Sequence, residues 1–407
     1  MKTKLVRNIH NFFTRHCIKF LLALVFLILF FSTFDYYGPK RIYLKPDFFS
    51  GIPCLRSRNL VVQHYDQNGD LWASRGMIIY KLQKDDNKFV RIAHVPTGFS
   101  IFWLNNFTFM RSFTHRQECI EIIVSEKSGI CALSAGYMWY CASNDNKFKR
   151  TFKLPYYGIG TGRGIMSTGI INVNDSLIFI GEYFRNPQGA EVKIYKSENF
   201  GKTWDIAYVF PPEKIQHIHS LQQDPYSGNL WICAGDSDKE SMIGWSEDNF
   251  GTIIPIGTGS QIWCACQLVF TDKKVYWGTD SSKESQAGIY RWDKKSHDLS
   301  LLQRIDGAMH FGTRLSKGTI VMSIDREGSS LEKDKKTKIF IITNEDKIRT
   351  INGYTWNYQK VGFRSSFAKL RFQRDQGANS LAITCLNQKE IPDGDMVIIS
   401  ENALISL

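Results

Sequence analysis

A turn followed by a strand of aliphatic and aromatic residues recurs along this chain, and no other feature limits its fold as much. Two copies match closely: Asp66-Gln67-Asn68-Gly69-Asp70-Leu71-Trp72 and Asp224-Pro225-Tyr226-Ser227-Gly228-Asn229-Leu230-Trp231. Looser copies are Asn174-Asp175-Ser176-Leu177-Ile178-Phe179, Asp272-Lys273-Lys274-Val275-Tyr276-Trp277 and Ser316-Lys317-Gly318-Thr319-Ile320-Val321. Each sets turn formers between two strand-like runs, as a hairpin requires. A further strand follows each copy, marked by an aromatic: Tyr80, Tyr140, Tyr195, Trp245, Tyr290 and Phe340, at gaps of 60, 55, 50, 45 and 50 residues. Those gaps lie near the period of a propeller blade, roughly 40 to 50 residues. A seventh copy, Met396-Val397-Ile398-Ile399-Ser400-Glu401-Asn402, resembles Ile339-Phe340-Ile341-Ile342-Thr343-Asn344-Glu345. The expected fold is therefore all-β, a β-propeller of about seven four-stranded blades, with six possible.

Composition agrees with many short strands and tight turns: 14% of the 407 residues are aromatic, and 31 glycines accompany only 11 prolines. The formal charge of +12 does not mark a nucleic-acid binder, because the excess forms no basic run with interleaved aromatics. Five of its charges, Lys2, Lys4, Arg7, Arg15 and Lys19, precede the first acidic residue, Asp35. They flank an uncharged run, Phe20 to Phe34, whose apolar character reaches Tyr37. A span needs about 20 apolar residues with a lower limit near 17, so residues 20–37 are expected to form a transmembrane signal anchor. The cations place residues 1–19 on the cytoplasmic side and the rest of the chain in the periplasm, a lumen or the extracellular space. A cleaved signal peptide competes, but Ser32-Thr33-Phe34-Asp35 lacks the small residues that cleavage favours. Residues 38–59 are expected as a linker, some of them completing the last blade, and 60–407 as the propeller.

Of nine cysteines, Cys17 precedes the anchor and eight follow it. An even number permits disulfides in an oxidising compartment without showing them. Cys264 and Cys266, two apart on an expected strand, share a face and are poorly placed to bond to each other. There is no CxxC pair, so the cysteines read as small buried apolar residues.

Tyr195-Lys196-Ser197-Glu198-Asn199-Phe200-Gly201-Lys202-Thr203-Trp204 resembles the Asp-box, or bacterial neuraminidase repeat, with Asn199 in place of the usual Asp. Trp245-Ser246-Glu247-Asp248-Asn249-Phe250-Gly251-Thr252 looks like a second copy, with one extra residue and no closing Trp. The resemblance implies a structural role in the turn between the third and fourth strands of a blade. From Gly162 to about Asp280 the chain is similar to Asp-box propeller proteins labelled glycosyl hydrolases, through Gly181-Glu182-Tyr183, His217-Ile218-His219, Gly235-Asp236-Ser237-Asp238, Gly259-Ser260-Gln261 and Trp277-Gly278-Thr279-Asp280. The Arg-Ile-Pro tripeptide of sialidases is absent, so a sialidase is not implied.

In an antiparallel blade the start of the first strand lies beside the end of the second. Arg163, His217, His219, Gln261 and His310 fall at first-strand starts. Glu182, Asp236, Asp238 and Asp280 fall at second-strand ends. Both sets are expected at one mouth of the central channel, with Tyr183, where ligands of closed β architectures bind. Glu182 with Asp236 or Asp238 suits an acid and base pair for glycoside cleavage. His217 or His219, with Arg163 and Tyr183, suits proton abstraction beside a uronate carboxylate, as in a polysaccharide lyase. The catalytic candidates are thus Glu182, Asp236, Asp238 and His219. The substrate-binding candidates are Arg163, Tyr183, His217, Gln261, Asp280 and His310. His217 and His219 share a face and with His310 have the donors for a divalent metal, but buried histidines commonly bond neighbouring blades, so no metal or other cofactor is assigned. The expected partners are a glycan and, through the anchor, the lipid bilayer. A non-catalytic glycan binder and a protein-interaction scaffold stay open, since one fold hosts many functions.

Overall fold

The computed structural model describes residues 16–26, 38–97, 119–145, 147–158, 161–358, 360–361, 364–365 and 367–406. Residues 16–26 are helical. Among the described residues no helix is long and apolar enough to cross a membrane, and the remainder of the expected span, 27–37, lies outside them.

From residue 38 the chain is built almost wholly of antiparallel strands. Seven sheets of four or five strands follow one another along it, with a three-stranded and a two-stranded sheet between them. The first comprises Val61–Tyr65, Leu71–Arg75, Ile78–Leu82 and Lys88–His94, with Arg41–Tyr43 added outside. The second comprises Cys119–Ser125, Gly129–Ser134, Tyr137–Cys141 and Lys149–Lys153, and the third Ile170–Asn172, Ile178–Gly181, Val192–Ser197 and Asp205–Phe210. Ile218–Gln223, Leu230–Ala234, Met242–Ser246 and Ile254–Thr258 form the fourth. The fifth takes Ala265–Phe270, Lys274–Thr279, Gly288–Asp293 and Leu299–Arg304, and the sixth Phe311–Arg314, Ile320–Ile324, Lys336–Ile342 and Ile348–Thr355.

The seventh sheet joins the two ends of the chain. Lys369–Phe372, Ser380–Leu386 and Met396–Ser400 pair in order, and Ile52–Ser57 then pairs with Met396–Ser400 and carries Lys45–Phe49 outside it. Residues 38–59, expected as a linker with some residues completing the last blade, contain Arg41–Tyr43, Lys45–Phe49 and Ile52–Ser57, of which the last two belong to this seventh sheet. The alternation of Ile52-Pro53-Cys54 turns Ile52 and Cys54 inward and Pro53 outward, a short signal easily lost beside an anchor.

Burial grades across each sheet. The second strands are apolar and buried on both faces, as in Leu230–Ala234, while the last strands are only partly buried, as in Leu299–Arg304, where half the residues are exposed. The apolar surface is gathered into clusters that each bridge consecutive sheets. Trp72 and Ile79 meet Ile122 and Trp139 between the first and second, and Leu133 meets Ile178 between the second and third. Phe179 meets Ile232, Trp231 meets Trp277, and Tyr276 meets Phe340 along the next three seams. Val321 meets Leu381 at the sixth seam, and Met396 returns to Val62 and Tyr80 of the first sheet. The packing is therefore cyclic.

The two Ser-x-Asn/Asp segments stand where expected, in the turns between third and fourth strands. Ser197 Oγ accepts the Gly201 N–H at 2.7 Å and Asn199 Oδ1 the Thr203 N–H at 2.8 Å, while Trp204 packs against Phe152 of the second sheet. Asp248 repeats this with Ser246 and Thr252, and Phe250 is fully buried.

A buried ion pair spans the ring. Glu121 of the second sheet, 1% exposed, receives hydrogen bonds from Arg371 and Arg374 of the seventh-sheet segment, each at 2.6 Å. Removing one partner of a buried pair costs about 3 to 5 kcal/mol. Glu121→Ala should therefore destabilise the chain by about that amount in denaturant unfolding, and a change within about 0.5 kcal/mol, the range of an ordinary surface substitution, would show that the pair does not clamp the ring.

Candidate functional site

Four inner strands carry a register irregularity near their starts, among them Ile218–Gln223, where the shift falls between Ile218 and Ser220, and Ala265–Phe270, where it falls between Ala265 and Leu268. A bulge re-aims side chains and is common beside functional sites. Here it lets His217 and His219, either side of Ile218, converge: their rings lie 4.9 Å apart and their Nε2 atoms 3.0 Å apart. Both are buried, at 4% and 1% exposure.

Asp236 reaches the pair from the end of the second strand. Leu230–Ala234 ends at Gly235, whose φ of +83° and proximity to the Glu240 carbonyl leave no room for a Cβ. The chain turns there and sets Asp236 Oδ1 2.9 Å from His219 Nε2 and 3.1 Å from His217 Nε2, with the carboxylate side chain 46% exposed to the mouth. Each imidazole is oriented from behind. His217 Nδ1 lies 3.1 Å from the Phe184 carbonyl and His219 Nδ1 3.2 Å from the Ala265 carbonyl. A carbonyl only accepts, so each Nδ1 carries the hydrogen and each Nε2 points its lone pair at the other and at Asp236 in the neutral form. Burial opposes ionisation of Asp236, but its bonds to His217 and His219 outweigh that and hold its pKa far below the carboxylate range. Burial likewise disfavours a charge on His219, while the bond to Asp236 raises its pKa.

The cluster continues around the mouth. Tyr183, on the small sheet formed by Tyr157–Gly158, Gly162–Gly164 and Tyr183–Phe184, lays its ring 4.1 Å from that of His217. Cys266 Sγ lies 3.4 Å from Asp280, and Asp280 lies 3.5 Å from His310 Nε2. His310 Nδ1 meets Asp325 at 2.7 Å, and Lys369 Nζ meets Glu327 at 3.0 Å. Burial and neighbouring Lys369 oppose a charge on His310, yet Glu327 and Asp280 raise its pKa to about 10. Three donor sets in this cluster are close enough to share an ion: His217, His219 and Asp236; His219, Cys266 and Asp280; Asp280, His310 and Glu327.

Of the expected residues, the structure brings together His217, His219, Asp236, Tyr183, Asp280 and His310. Gln261 supports them: its Nε2 donates to the Asp236 carbonyl at 3.1 Å and its Oε1 accepts from Ser281. Asp238 stands on the same rim but is paired with Lys283 and accepts the Gln261 N–H. Arg163 lies exposed on Gly162–Gly164, beside the strand that carries Tyr183. Glu182 is engaged elsewhere: its carboxylate accepts from Tyr195 Oη and the Lys193 N–H, both at 2.8 Å, within the third sheet. Asp325, Glu327, Lys369 and Cys266 were not anticipated. Asp325 had a signal, because an acidic residue recurs at second-strand ends as Glu182, Asp236, Asp280 and then Asp325. Lys369 had none, since its strand carries no copy of the repeat.

No family model and no curated protein sequence matches the chain. Among solved structures it is similar to an oligogalacturonate lyase from Vibrio parahaemolyticus, with 8% identity and a TM-score of 0.53 over 89% of this chain and 98% of that one. It is also similar to a GH74 enzyme of Niastella koreensis, with 13% identity and a TM-score of 0.49 over 80% of this chain and 51% of that one. The Pan2 WD40 domain of Neurospora crassa gives 9% identity and a TM-score of 0.46 over 84% and 88%. At such identities the likeness is one of fold, a propeller-type all-β architecture.

A histidine whose pKa is raised by folding stabilises fully below its ordinary pKa of 6.5, and that contribution is lost as pH climbs through the folded value of about 10. Denaturant unfolding of wild type and His310→Gln should therefore differ most near pH 6, with the gap closing towards pH 10. A gap that widens with pH would show that His310 is neutral in the folded chain.

Proposed function

We propose that this chain is a seven-bladed, Asp-box-type propeller that holds a carbohydrate at the mouth formed by Tyr183, His217, His219, Asp236, Asp280 and His310. The observation that carries it is the chain of contacts that brings these groups together from separate sheets, with the carboxylate of Asp236 half-exposed among them. Carboxylates bind sugar hydroxyls as acceptors, and an aromatic ring beside them offers a flat apolar face to the sugar. Blade number is read from the cyclic seams: seven sheets, each packed on the next, with the ends of the chain sharing the last. The Asp-box assignment is supported by the Ser197 and Ser246 turns. The basic segment and the apolar run from Phe20 support an anchored chain with its propeller outside the cytoplasm.

The geometry favours binding over two-carboxylate hydrolysis. Glu182, one half of the expected acid and base pair, has both oxygens committed within its own sheet. Elimination from a uronate is the second reading, favoured by one feature: Nε2 of His217 and His219 is an unprotonated acceptor in the neutral ring, the state a general base requires. The fold it shares with an oligogalacturonate lyase makes uronate-containing oligosaccharides the first ligands to try.

A glycan array probed with the full-length chain tests this. Wild type should retain one class of glycan, with affinity at least about tenfold lower in Asp236→Asn, the loss of one charged hydrogen bond, and unchanged in Glu182→Gln. No glycan retained, or equal retention by wild type and Asp236→Asn, would contradict the proposal. Formation of an unsaturated product from the retained glycan would select elimination.

A further inference from the structure

His217 Nε2, His219 Nε2 and Asp236 Oδ1 form a nearly equilateral triangle, with edges of 3.0, 3.1 and 2.9 Å. All three are acceptors when the rings are neutral, so three lone-pair atoms face one another across hydrogen-bond distances. A proton on one ring serves that ring's contacts and leaves the remaining pair unbridged. A cation in the triangle serves all three. Around an ion with bonds of about 2.1 Å, adjacent octahedral positions lie about 3.0 Å apart, whereas tetrahedral positions lie about 3.4 Å apart. The observed edges fit one face of an octahedron.

The surroundings agree. Both Nδ1–H groups donate to backbone carbonyls, the outer support that fixes the tautomer of metal-binding histidines. Among the described residues no lysine or arginine pairs with Asp236, so the competitor of a cation for its charge is a proton on the imidazoles. The two other donor sets are less suited. One has a single imidazole, shared with the triangle, beside a thiol and Asp280, and the other lies against Lys369, whose ammonium repels an ion. Two imidazoles and one carboxylate on a single face suit a divalent first-row transition ion and leave its remaining positions open.

We infer that His217, His219 and Asp236 bind one divalent transition-metal ion of the manganese to zinc series, with its open positions turned to the mouth. Such an ion would receive hydroxyl or carboxylate oxygens of a bound ligand. It would also occupy both Nε2 lone pairs, so the ion and a general-base role for these two histidines exclude each other. The inference goes beyond the carbohydrate proposal and does not depend on it, because the ion is detected without any sugar.

The full-length chain, stripped with chelator, is titrated with manganese chloride while free Mn(II) is followed by electron paramagnetic resonance, and with zinc chloride in competition. One ion should bind per chain. Asp236→Asn, whose side chain is half-exposed and whose fold is verified by its thermal midpoint, should weaken binding at least tenfold, and His217→Ala should do the same. His310→Gln should bind as wild type does. Absence of stoichiometric binding of either ion overturns the inference, as does wild-type affinity in Asp236→Asn, or a loss confined to His310→Gln.

Discussion

Apolar contact between neighbouring sheets is the constraint on which the rest of this molecule depends. No single sheet here can bury its own faces: Trp231 and Trp277 are covered by each other's sheets, and Tyr80 by residues from both ends of the chain. Repeat architectures share this property, and stability then resides in the seams. A ring adds one demand that an open stack does not have, that the last seam match the first. The chain meets it by giving the final sheet a strand from each terminus, Ile52–Ser57 against Met396–Ser400. Glu121, reaching Arg371 and Arg374, supplies a polar tie from the second sheet to the seventh.

Much of this is written in the repeat. Tyr80, Tyr140, Tyr195, Trp245, Tyr290, Phe340 and the Met396 copy all fall on third strands, because that position packs an aromatic or aliphatic side chain into a seam in every sheet. The turn chemistry of Asn199 and Asp248 was equally plain, since Ser, Asn and Asp side chains cap a turn within a few residues. What escaped was non-local. The sequence allowed part of 38–59 to complete the last blade, but no local pattern told that Ile52–Ser57 pairs with Met396–Ser400, more than 300 residues away, while Arg41–Tyr43 joins the first sheet. Lys369 and Glu327 join the mouth through a seam, without any local pattern.

The site shows the same division. Strand ends told which residues share a rim, and so placed His217, His219, Asp236, Asp280 and His310 together. They did not tell which way a side chain on that rim turns. Glu182 and Asp236 hold equivalent positions after a second strand, yet Glu182 folds back to Tyr195 while Asp236, freed by Gly235, reaches across to two imidazoles. Glu182 finds a phenol and an N–H within its own sheet, whereas Asp236 finds two imidazoles beside the register shift after Ile218. Backbone carbonyls of Phe184 and Ala265 then fix the rings, so neighbouring segments prepare the triangle before any ligand arrives.

That the fold holds His217, His219 and Asp236 in a prepared triangle is tested most directly by anomalous diffraction from crystals of the full-length chain grown with manganese. A single peak is predicted at about 2.1 Å from His217 Nε2, His219 Nε2 and an oxygen of Asp236. Crystals in which these three groups stand apart, or in which the only peak lies beside His310, would contradict it.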